Sequence, residues 1–186
     1  MTSLSDVKPD GNCGFCVAAK YLDGNKDNWV SMRVLLIEQF KLHIDRYADM
    51  FSCRTKKAQK AFIGTIAHDG ITFPPKSKWF TTPEMTQLLA DTTNLVVVVL
   101  SSKLEYYCQT YIPMVGNPDT TKNSIVMLHE NEVHWLLGNM DNTYLPPMAL
   151  NWKSCIEMKV NKEVLNFLQP KFEKWRKRVP FRHSTY

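Results

Sequence analysis

The sequence predicts an α+β domain in which helices flank a small central β-sheet. Apolar residues between positions 28 and 50 recur at helical spacing, and the β-branched run from Leu95 to Leu100 is typical of a strand that is covered on both faces. Two further short apolar runs follow that strand along the chain. Because a strand covered on both faces needs a packing partner on each side, we expect helices above and below the sheet.

The helices are predicted from capping residues and apolar spacing. The first covers Cys13 to Leu22, after a turn rich in glycine, proline and short polar residues, and the second runs from Asn28 to about Met50. A third is expected from Thr55 to His68, with Gly70 just past its end.

The fourth helix has two candidate starting points. Thr82 followed by Pro83 suits an N-cap with proline at the first helical position, whereas Thr81 with Glu84 suits a capping box. These two registers differ by one residue, and the sequence leaves both open.

Three strands are predicted after the fourth helix. The run from Leu95 to Leu100 is the first, Ser124 to Leu128 is the second, and His134 to Leu137 is the third. A polar turn from His129 to Glu132 is expected between the last two.

Size and composition place the chain among ordinary globular domains. It has 186 residues, of which 44% are hydrophobic, and at this length folding buries roughly 70% of the unfolded chain's surface. No apolar run approaches the roughly 18 residues of a membrane span. Residues 1 to 25 also lack the basic and apolar regions of a secretory signal. We therefore expect an intracellular protein that does not span a membrane.

Positive charge is concentrated at the carboxyl end. Residues 171 to 186 carry six basic side chains and one acidic one, whereas the first 170 residues hold 17 of each sign. We therefore divide the chain into a body, residues 1–170, and a basic aromatic tail, residues 171–186. The tail suits nucleic acid or an anionic membrane surface, although a solvated helix with a packed aromatic side is the commoner outcome. The run from Lys174 to Arg178 is compatible with nuclear import.

The cysteines indicate reduced thiols. Their number is odd and their spacing irregular, at Cys13, Cys16, Cys53, Cys108 and Cys155. Cys13 and Cys16 form a Cys-x-x-Cys pair, which is typical of half a zinc site or a redox motif, but no second ligand pair follows it. We therefore expect no metal and no cofactor, and we assign Cys16 to the core.

Cys13 is the candidate nucleophile, because a cysteine at a helix N-terminus is placed where backbone N–H groups favour the thiolate. The same end of the helix offers the N–H groups of Gly11, Asn12 and Cys13 to an oxyanion. His134, which begins a strand, is the candidate base. His129 is a rival that is expected to lie in the polar turn and to lack an aromatic neighbour.

Together these segments resemble the ovarian-tumour (OTU) family of cysteine proteases, over most of residues 8 to 138. The resemblance rests on the order and spacing of Asp10-Gly11-Asn12-Cys13-Gly14-Phe15, Trp79 leading to Glu84 and a helix, Leu95 to Leu100, Ile125 to Leu128, and His134-Trp135. It implies a papain-like OTU fold and a thiol isopeptidase that removes ubiquitin or a ubiquitin-like modifier in the cytoplasm or nucleus.

The resemblance also implies roles for individual residues. Cys13 corresponds to the nucleophile, His134 to the general base, and Asp10 to an orienting or loop-organising residue. Trp135 is expected to wall the channel that admits the Gly-Gly tail of the modifier. Glu84, with Asp91 nearby, is expected to pair with arginines of that tail.

One position departs from the family pattern. Many OTU proteases carry Asn or Asp two residues after the histidine, but Leu136 stands there and cannot accept a hydrogen bond from the imidazole. The orienting group must then be Asp10, a backbone carbonyl, or a loop residue such as Asn139 or Asp141, and Asp10 is the first choice.

Two other functions remain open at this stage. The substitution at Leu136 fits an inactive OTU-like module that binds ubiquitin without cleaving it. The basic tail fits a nucleic-acid-binding protein, whose affinity would fall with salt.

Overall fold

A computed structural model describes residues 1–103, 107–114, 118, 123–141, 143–149 and 162–178. The strands of these residues are β1 (Ser3–Ser5), β2 (Val97–Ser101), β3 (Gln109–Tyr111), β4 (Ile125–Glu130) and β5 (His134–Asn139). The helices are α1 (Cys13–Asp23), α2 (Trp29–Leu42), α3 (Ile44–Met50), α4 (Lys56–Ile66), α5 (Glu84–Thr93) and α6 (Lys162–Arg178). The predicted α+β fold is confirmed.

The five strands form one mixed sheet in the order β1-β5-β4-β2-β3. Strands β2 and β4 are parallel and the other neighbours are antiparallel. The β-branched run predicted as a covered strand forms the buried centre, since Val97, Val98 and Val99 are almost fully inaccessible to solvent. Helix α1 packs against β4 and β5, and α5 packs against β2, β3 and α2. This packing brings the amino end of α1 to strand β5.

The predicted helix from Asn28 to Met50 is two helices. The chain leaves helical geometry at His43, where φ is −123° and ψ is 36°, and resumes it as α3. The apolar stripe continues across the break, because Met32, Leu36, Phe40 and Tyr47 are all buried. Periodicity therefore detected the buried face but not the interruption.

The predicted starts and ends of two other helices also need correction. Helix α4 ends at Ile66, and Ala67 rather than Gly70 follows it, in an extended conformation. Neither proposed cap starts α5. The Thr82–Pro83 peptide bond is cis, the helix begins at Glu84, and the Thr82 hydroxyl is hydrogen-bonded to that of Tyr111.

Strands β1 and β3 were not predicted. Each has only three residues, which is too short for an alternating apolar pattern to be recognised. Strand β4 extends to Glu130, so His129 lies on a strand and not in the predicted polar turn.

Helix α6 spans the position at which the sequence was divided into body and tail. Leu168 and Phe172 are buried on either side of Pro170, and Trp175 packs against the core. The division itself stays a prediction, and Phe181 and Arg182 of the tail lie outside the described residues. Among the helices of the described ranges, none has the length and apolar character needed to cross a membrane.

The first turn of α1 lies directly against the segment that leads to α5. A Cβ atom at Gly14 would stand 2.3 Å from the Cβ of Phe80. Phe80 is itself buried, and its ring packs edge-on against both Phe15 and Trp135. Glycine at position 14 is therefore required by the close approach of a side chain that has no room to move.

We predict opposite effects for alanine at two helical glycines. Gly14→Ala should lower the free energy of unfolding by about 2 kcal/mol or more, because the added methyl group overlaps Phe80. Gly64→Ala, in the exposed interior of α4 with open space around its Cβ position, should raise it by about 0.5–1 kcal/mol. Urea denaturation measures both, and equal effects of the two substitutions would contradict the packing described.

Candidate active site

Cys13 is the first residue of α1 and is 4% exposed. The loop before it turns sharply at Gly11, whose φ of +77° lies in the left-handed region that favours glycine. Trp79 and Pro74 close over this turn, since a Cβ at Gly11 would lie 2.7 Å from the indole nitrogen and 2.8 Å from Pro74 Cγ. The thiol therefore sits at the end of a tight, covered turn.

The position of Cys13 at the N-terminus of α1 does not by itself favour the thiolate. Burial raises its pKa above the ordinary value and outweighs the backbone N–H groups of Trp135, Gly14 and Cys13, which lower it. The predicted preference of the helix terminus for a thiolate is thus present but is overcome by desolvation. A base is consequently needed to activate this thiol.

His134, the candidate base, is the first residue of strand β5. The next residue, Trp135, directs its backbone N–H at the Cys13 sulfur, so the start of β5 lies beside the thiol. The Nε2 atom of His134 is 2.8 Å from Oδ1 of Asp6. Its Nδ1 atom is buried and has no hydrogen-bond partner among the described residues.

The contact with Asp6 assigns the tautomer of His134. The hydrogen bond from the imidazole lowers the pKa of the Asp6 carboxyl, which is therefore ionised at neutral pH and accepts a hydrogen bond from the Nε2–H group. In the neutral ring Nδ1 then carries a lone pair and can take a proton. This arrangement is the one that a general base requires.

Asp6, and not Asp10, is the carboxylate bonded to the histidine, which corrects the first choice made from the sequence. Asp10 instead accepts a hydrogen bond of 2.9 Å from the backbone N–H of Asn12 and so organises the turn before Cys13. That bond engages one of the three predicted oxyanion donors. The N–H groups of Gly11 and Cys13 are the other two.

The other candidates for an orienting group have different contacts. Asn139 is paired with Ser3 at the far end of β5, and the Asp141 carboxylate accepts from the Thr143 N–H. Leu136 is 9% exposed and lies opposite Leu128. No motif marks Asp6, because only the register of β1 on β5, with Ser5 opposite Leu137, brings it to His134.

A buried arginine of α2 is hydrogen-bonded to the turn that precedes Cys13. Arg33 of α2 is 1% exposed, and its guanidinium donates to the side-chain oxygen of Asn12 at 2.8 Å. It also donates to the backbone carbonyls of Ile66 and Lys78, at 2.6 and 3.0 Å, and lies 3.8 Å from the ring centre of Phe15. Burial lowers its pKa to about 10, which leaves it charged at neutral pH.

Trp135 is a core residue. It is 2% exposed, and its indole N–H donates to the carbonyl of Phe80 at 3.2 Å. Its role as a channel wall stays a prediction, and the side chains of Trp79 and Pro74 cover the turn at Gly11.

The rival base, His129, has an aromatic neighbour, contrary to the expectation from the sequence. It stacks on Trp135 with ring centres 4.1 Å apart, and burial lowers its pKa. His129 and Trp135 are opposite each other on β4 and β5 and so share one face of the sheet. Since His134 precedes Trp135, its side chain points to the other face.

The two acidic residues expected to meet substrate arginines differ in accessibility. Glu84 is half-buried in the first turn of α5. Asp91 is 5% exposed and accepts hydrogen bonds from the Tyr47 hydroxyl at 2.7 Å and the Met114 N–H at 2.5 Å. Asp91 therefore ties α3 and α5 to the segment after β3, and its assignment to substrate was wrong.

Within the described ranges, the Cys-x-x-Cys pair has no partner residues for a metal. Cys16 is 3% exposed, which confirms it as a core residue, and burial raises its pKa to about 12. In the described part of the chain, no group of three or more His, Cys, Asp or Glu side chains is placed to hold a metal ion.

No protein-family model and no curated protein matches the sequence significantly. Solved structures do match the fold. The OTU domain of OTUD1 aligns with a TM-score of 0.54 and 18% identity, over 72% of this chain and 83% of that one. The Hazara virus OTU bound to ubiquitin aligns with a TM-score of 0.54 and 15% identity, over 74% and 82%. The OTU domain protease of Qalyub virus gives 0.53 and 14%, over 73% and 82%. The chain therefore has the OTU-domain fold.

The raised pKa of Cys13 predicts how the thiol reacts with a small alkylating reagent. The rate at Cys13 should keep rising between about pH 7 and pH 9, because the thiolate fraction grows throughout that range. Iodoacetamide labelling, followed by mass spectrometry of the peptide that contains Cys13, measures this rate. A rate already constant below pH 7 would indicate a preformed thiolate–imidazolium pair and contradict the prediction.

Proposed function

We propose that the protein is a deubiquitinase-type thiol isopeptidase, which hydrolyses the bond at the C-terminal glycine of ubiquitin or a ubiquitin-like modifier. The observation that carries this proposal is the placement of His134, with Nε2 on the Asp6 carboxylate and the start of its strand beside Cys13. The OTU fold supports it independently, since one structural neighbour is an OTU protease and another was solved with bound ubiquitin.

The chemistry is acyl transfer through Cys13. As the substrate carbonyl approaches, Nδ1 of His134 takes the thiol proton and the sulfur attacks the glycine carbonyl carbon. The resulting oxyanion is stabilised by the N–H groups of Gly11 and Cys13. The intermediate collapses to a thioester when His134 returns the proton to the leaving lysine amine.

Hydrolysis of the thioester completes the cycle. His134 removes a proton from water, the hydroxide adds to the thioester carbonyl, and the thiolate leaves and recovers the proton. In both halves the Asp6 carboxylate stabilises the imidazolium that forms and holds the ring in one tautomer. No step needs a metal or a cofactor.

The covered turn at Gly11 favours a substrate with a thin tail. Trp79 and Pro74 cover this turn, and in this proposal the substrate tail passes beside their side chains to reach Cys13. A Gly-Gly terminus meets that requirement. Glu84 pairs with arginines of the tail in this proposal. The site of action is the cytoplasm or the nucleus, where such conjugates occur.

The nucleophile is tested with a ubiquitin derivative that carries a thiol-reactive group at its C-terminus. The wild-type chain should gain the mass of one ubiquitin, and Cys13→Ala should gain none. Cys16→Ala is the matched control and should retain the adduct, because the Cys16 thiol is buried and its pKa is raised to about 12. Readily alkylated Cys13 that forms no adduct would contradict ubiquitin as the substrate. An adduct without hydrolysis of conjugates would favour the inactive binding module.

The orienting residue is tested by a matched pair of substitutions. Asp6→Asn removes the charge that stabilises the imidazolium and should lower kcat by up to roughly tenfold, because the Asp6 side chain is 75% exposed and its charge is screened by solvent. Asp10→Asn keeps the oxygen that accepts the Asn12 N–H and should have a much smaller effect. Steady-state hydrolysis of a ubiquitin conjugate measures both, and the reverse order of effects would restore Asp10 as the orienting residue.

A further inference from the structure

One flank of helix α6 carries a row of three cations and an aromatic ring. This basic row consists of Phe167, Lys171, Lys174 and Arg178, whose spacings of four, three and four residues place side chains above one another on a helix. Lys174 and Arg178 are exposed, Phe167 is 45% exposed and Lys171 is half-buried. The Lys171 ammonium lies 4.3 Å from the ring centre of Phe167. Lys177, which is also exposed, borders the row.

The apolar face of α6 fixes the helix to the protein, so the basic row has one orientation. Val164, Leu168 and Phe172 recur at fourfold spacing and are buried in the core. At the end of the helix, the Arg178 guanidinium lies 4.6 Å from the ring centre of Tyr144. A ligand would therefore meet a preformed row of charge, and little ordering entropy would oppose its binding.

The positive charge of the basic row is not neutralised by its surroundings. Among the described residues, no acidic side chain forms an ion pair with Lys174, Lys177 or Arg178. Burial lowers the pKa of Lys171, the nearby Asp141 raises it, and the like charge of Lys174 lowers it further. The helix dipole favours cations in the last turn only, so it does not account for Lys171 and Lys174. Like charges held side by side on a docked helix suit a polyanionic ligand.

The buried apolar face of α6 decides between the two anionic partners that a basic helix suits. An amphipathic helix binds a membrane surface by inserting its apolar side chains among the lipid headgroups. Those of α6 are already packed in the protein core. Phe167, in contrast, is exposed beside the cations, where a base of an unpaired strand can stack on its ring while phosphates contact the ammonium groups. This combination favours a single strand of nucleic acid.

We propose that the basic row, together with Lys177, is a binding site for single-stranded nucleic acid. The cations hold successive phosphates and the Phe167 ring stacks on one base, so binding tolerates any sequence. None of these residues belongs to the candidate active site. The proposal therefore does not rest on the isopeptidase function, and a bound strand would leave the Cys13 thiol free.

The test is the fluorescence anisotropy of a labelled oligothymidine strand, titrated with the full chain at several salt concentrations. The logarithm of the binding constant should fall against that of the salt concentration with a slope of about −2 to −3, as expected for three or four phosphate contacts. Lys174→Glu with Lys177→Glu should raise Kd at least roughly tenfold at low salt and reduce the slope by about 1.4. Phe167→Ala should raise Kd roughly fivefold or more and leave the slope unchanged, because it removes stacking and no charge.

The matched control is Lys56→Glu with Lys57→Glu. Both lysines are exposed in the first turn of α4, and the two double variants change the net charge by the same amount. The control should bind the strand like the wild-type chain. Equal losses in the two double variants would show attraction to net charge alone and would overturn the proposal. Urea denaturation of each variant, with midpoints like that of the wild type, separates lost binding from lost folding.

Three other results would also overturn the proposal. They are the absence of binding to the strand at about 50 mM salt, binding only to phosphatidylserine vesicles, and tighter binding of a duplex of equal length, whose paired bases cannot stack on Phe167. Cys13→Ala should bind the strand like the wild type. Strand binding in a chain that hydrolyses no ubiquitin conjugate would thus refute the isopeptidase and support the nucleic-acid site.

Discussion

The buried guanidinium of Arg33 is the constraint on which the rest of the site depends. A charge that is 1% exposed is costly unless it is hydrogen-bonded, and the oxygen atoms that receive its hydrogen bonds come from three different segments. They belong to Asn12 before Cys13, to the end of α4 at Ile66, and to Lys78 before α5. Because losing any of these acceptors leaves a buried charge undersatisfied, the three segments are kept together. The turn at Gly11 and the loop from residue 68 to 75 take their positions from that junction.

The contact between Asp6 and His134 depends on a short edge strand. Strand β1 has three residues at the edge of the sheet, yet it carries the chain to Asp6 and so orients His134. Lys20 of α1 donates to the Ser5 hydroxyl and to the Asp6 carbonyl, which fastens the strand to the helix that begins with Cys13. Cys13 and the carboxylate that contacts His134 are thereby linked through one helix, although no motif joins them in the sequence.

The sequence was most informative where burial imposes a period. The β-branched run became the centre of the sheet, and the apolar stripe from Met32 to Tyr47 became the core face of two helices. It was least informative where a contact depends on register or on one backbone angle. Asp6 meets His134 only because of how β1 pairs with β5, and the break at His43 leaves the apolar period intact. The prediction for His129 was wrong because β4 runs two residues further than expected, which places His129 opposite Trp135.

The proposed mechanism requires Cys13 to form a covalent acyl intermediate, and trapping that intermediate is the direct test of it. A ubiquitin ester is mixed with the protein, the reaction is quenched in acid within the first turnover, and the protein is digested and analysed by mass spectrometry. The mechanism predicts a hydroxylamine-sensitive thioester that joins the modifier's C-terminal glycine to the peptide containing Cys13. Turnover without that thioester, or a thioester on another cysteine, would contradict it.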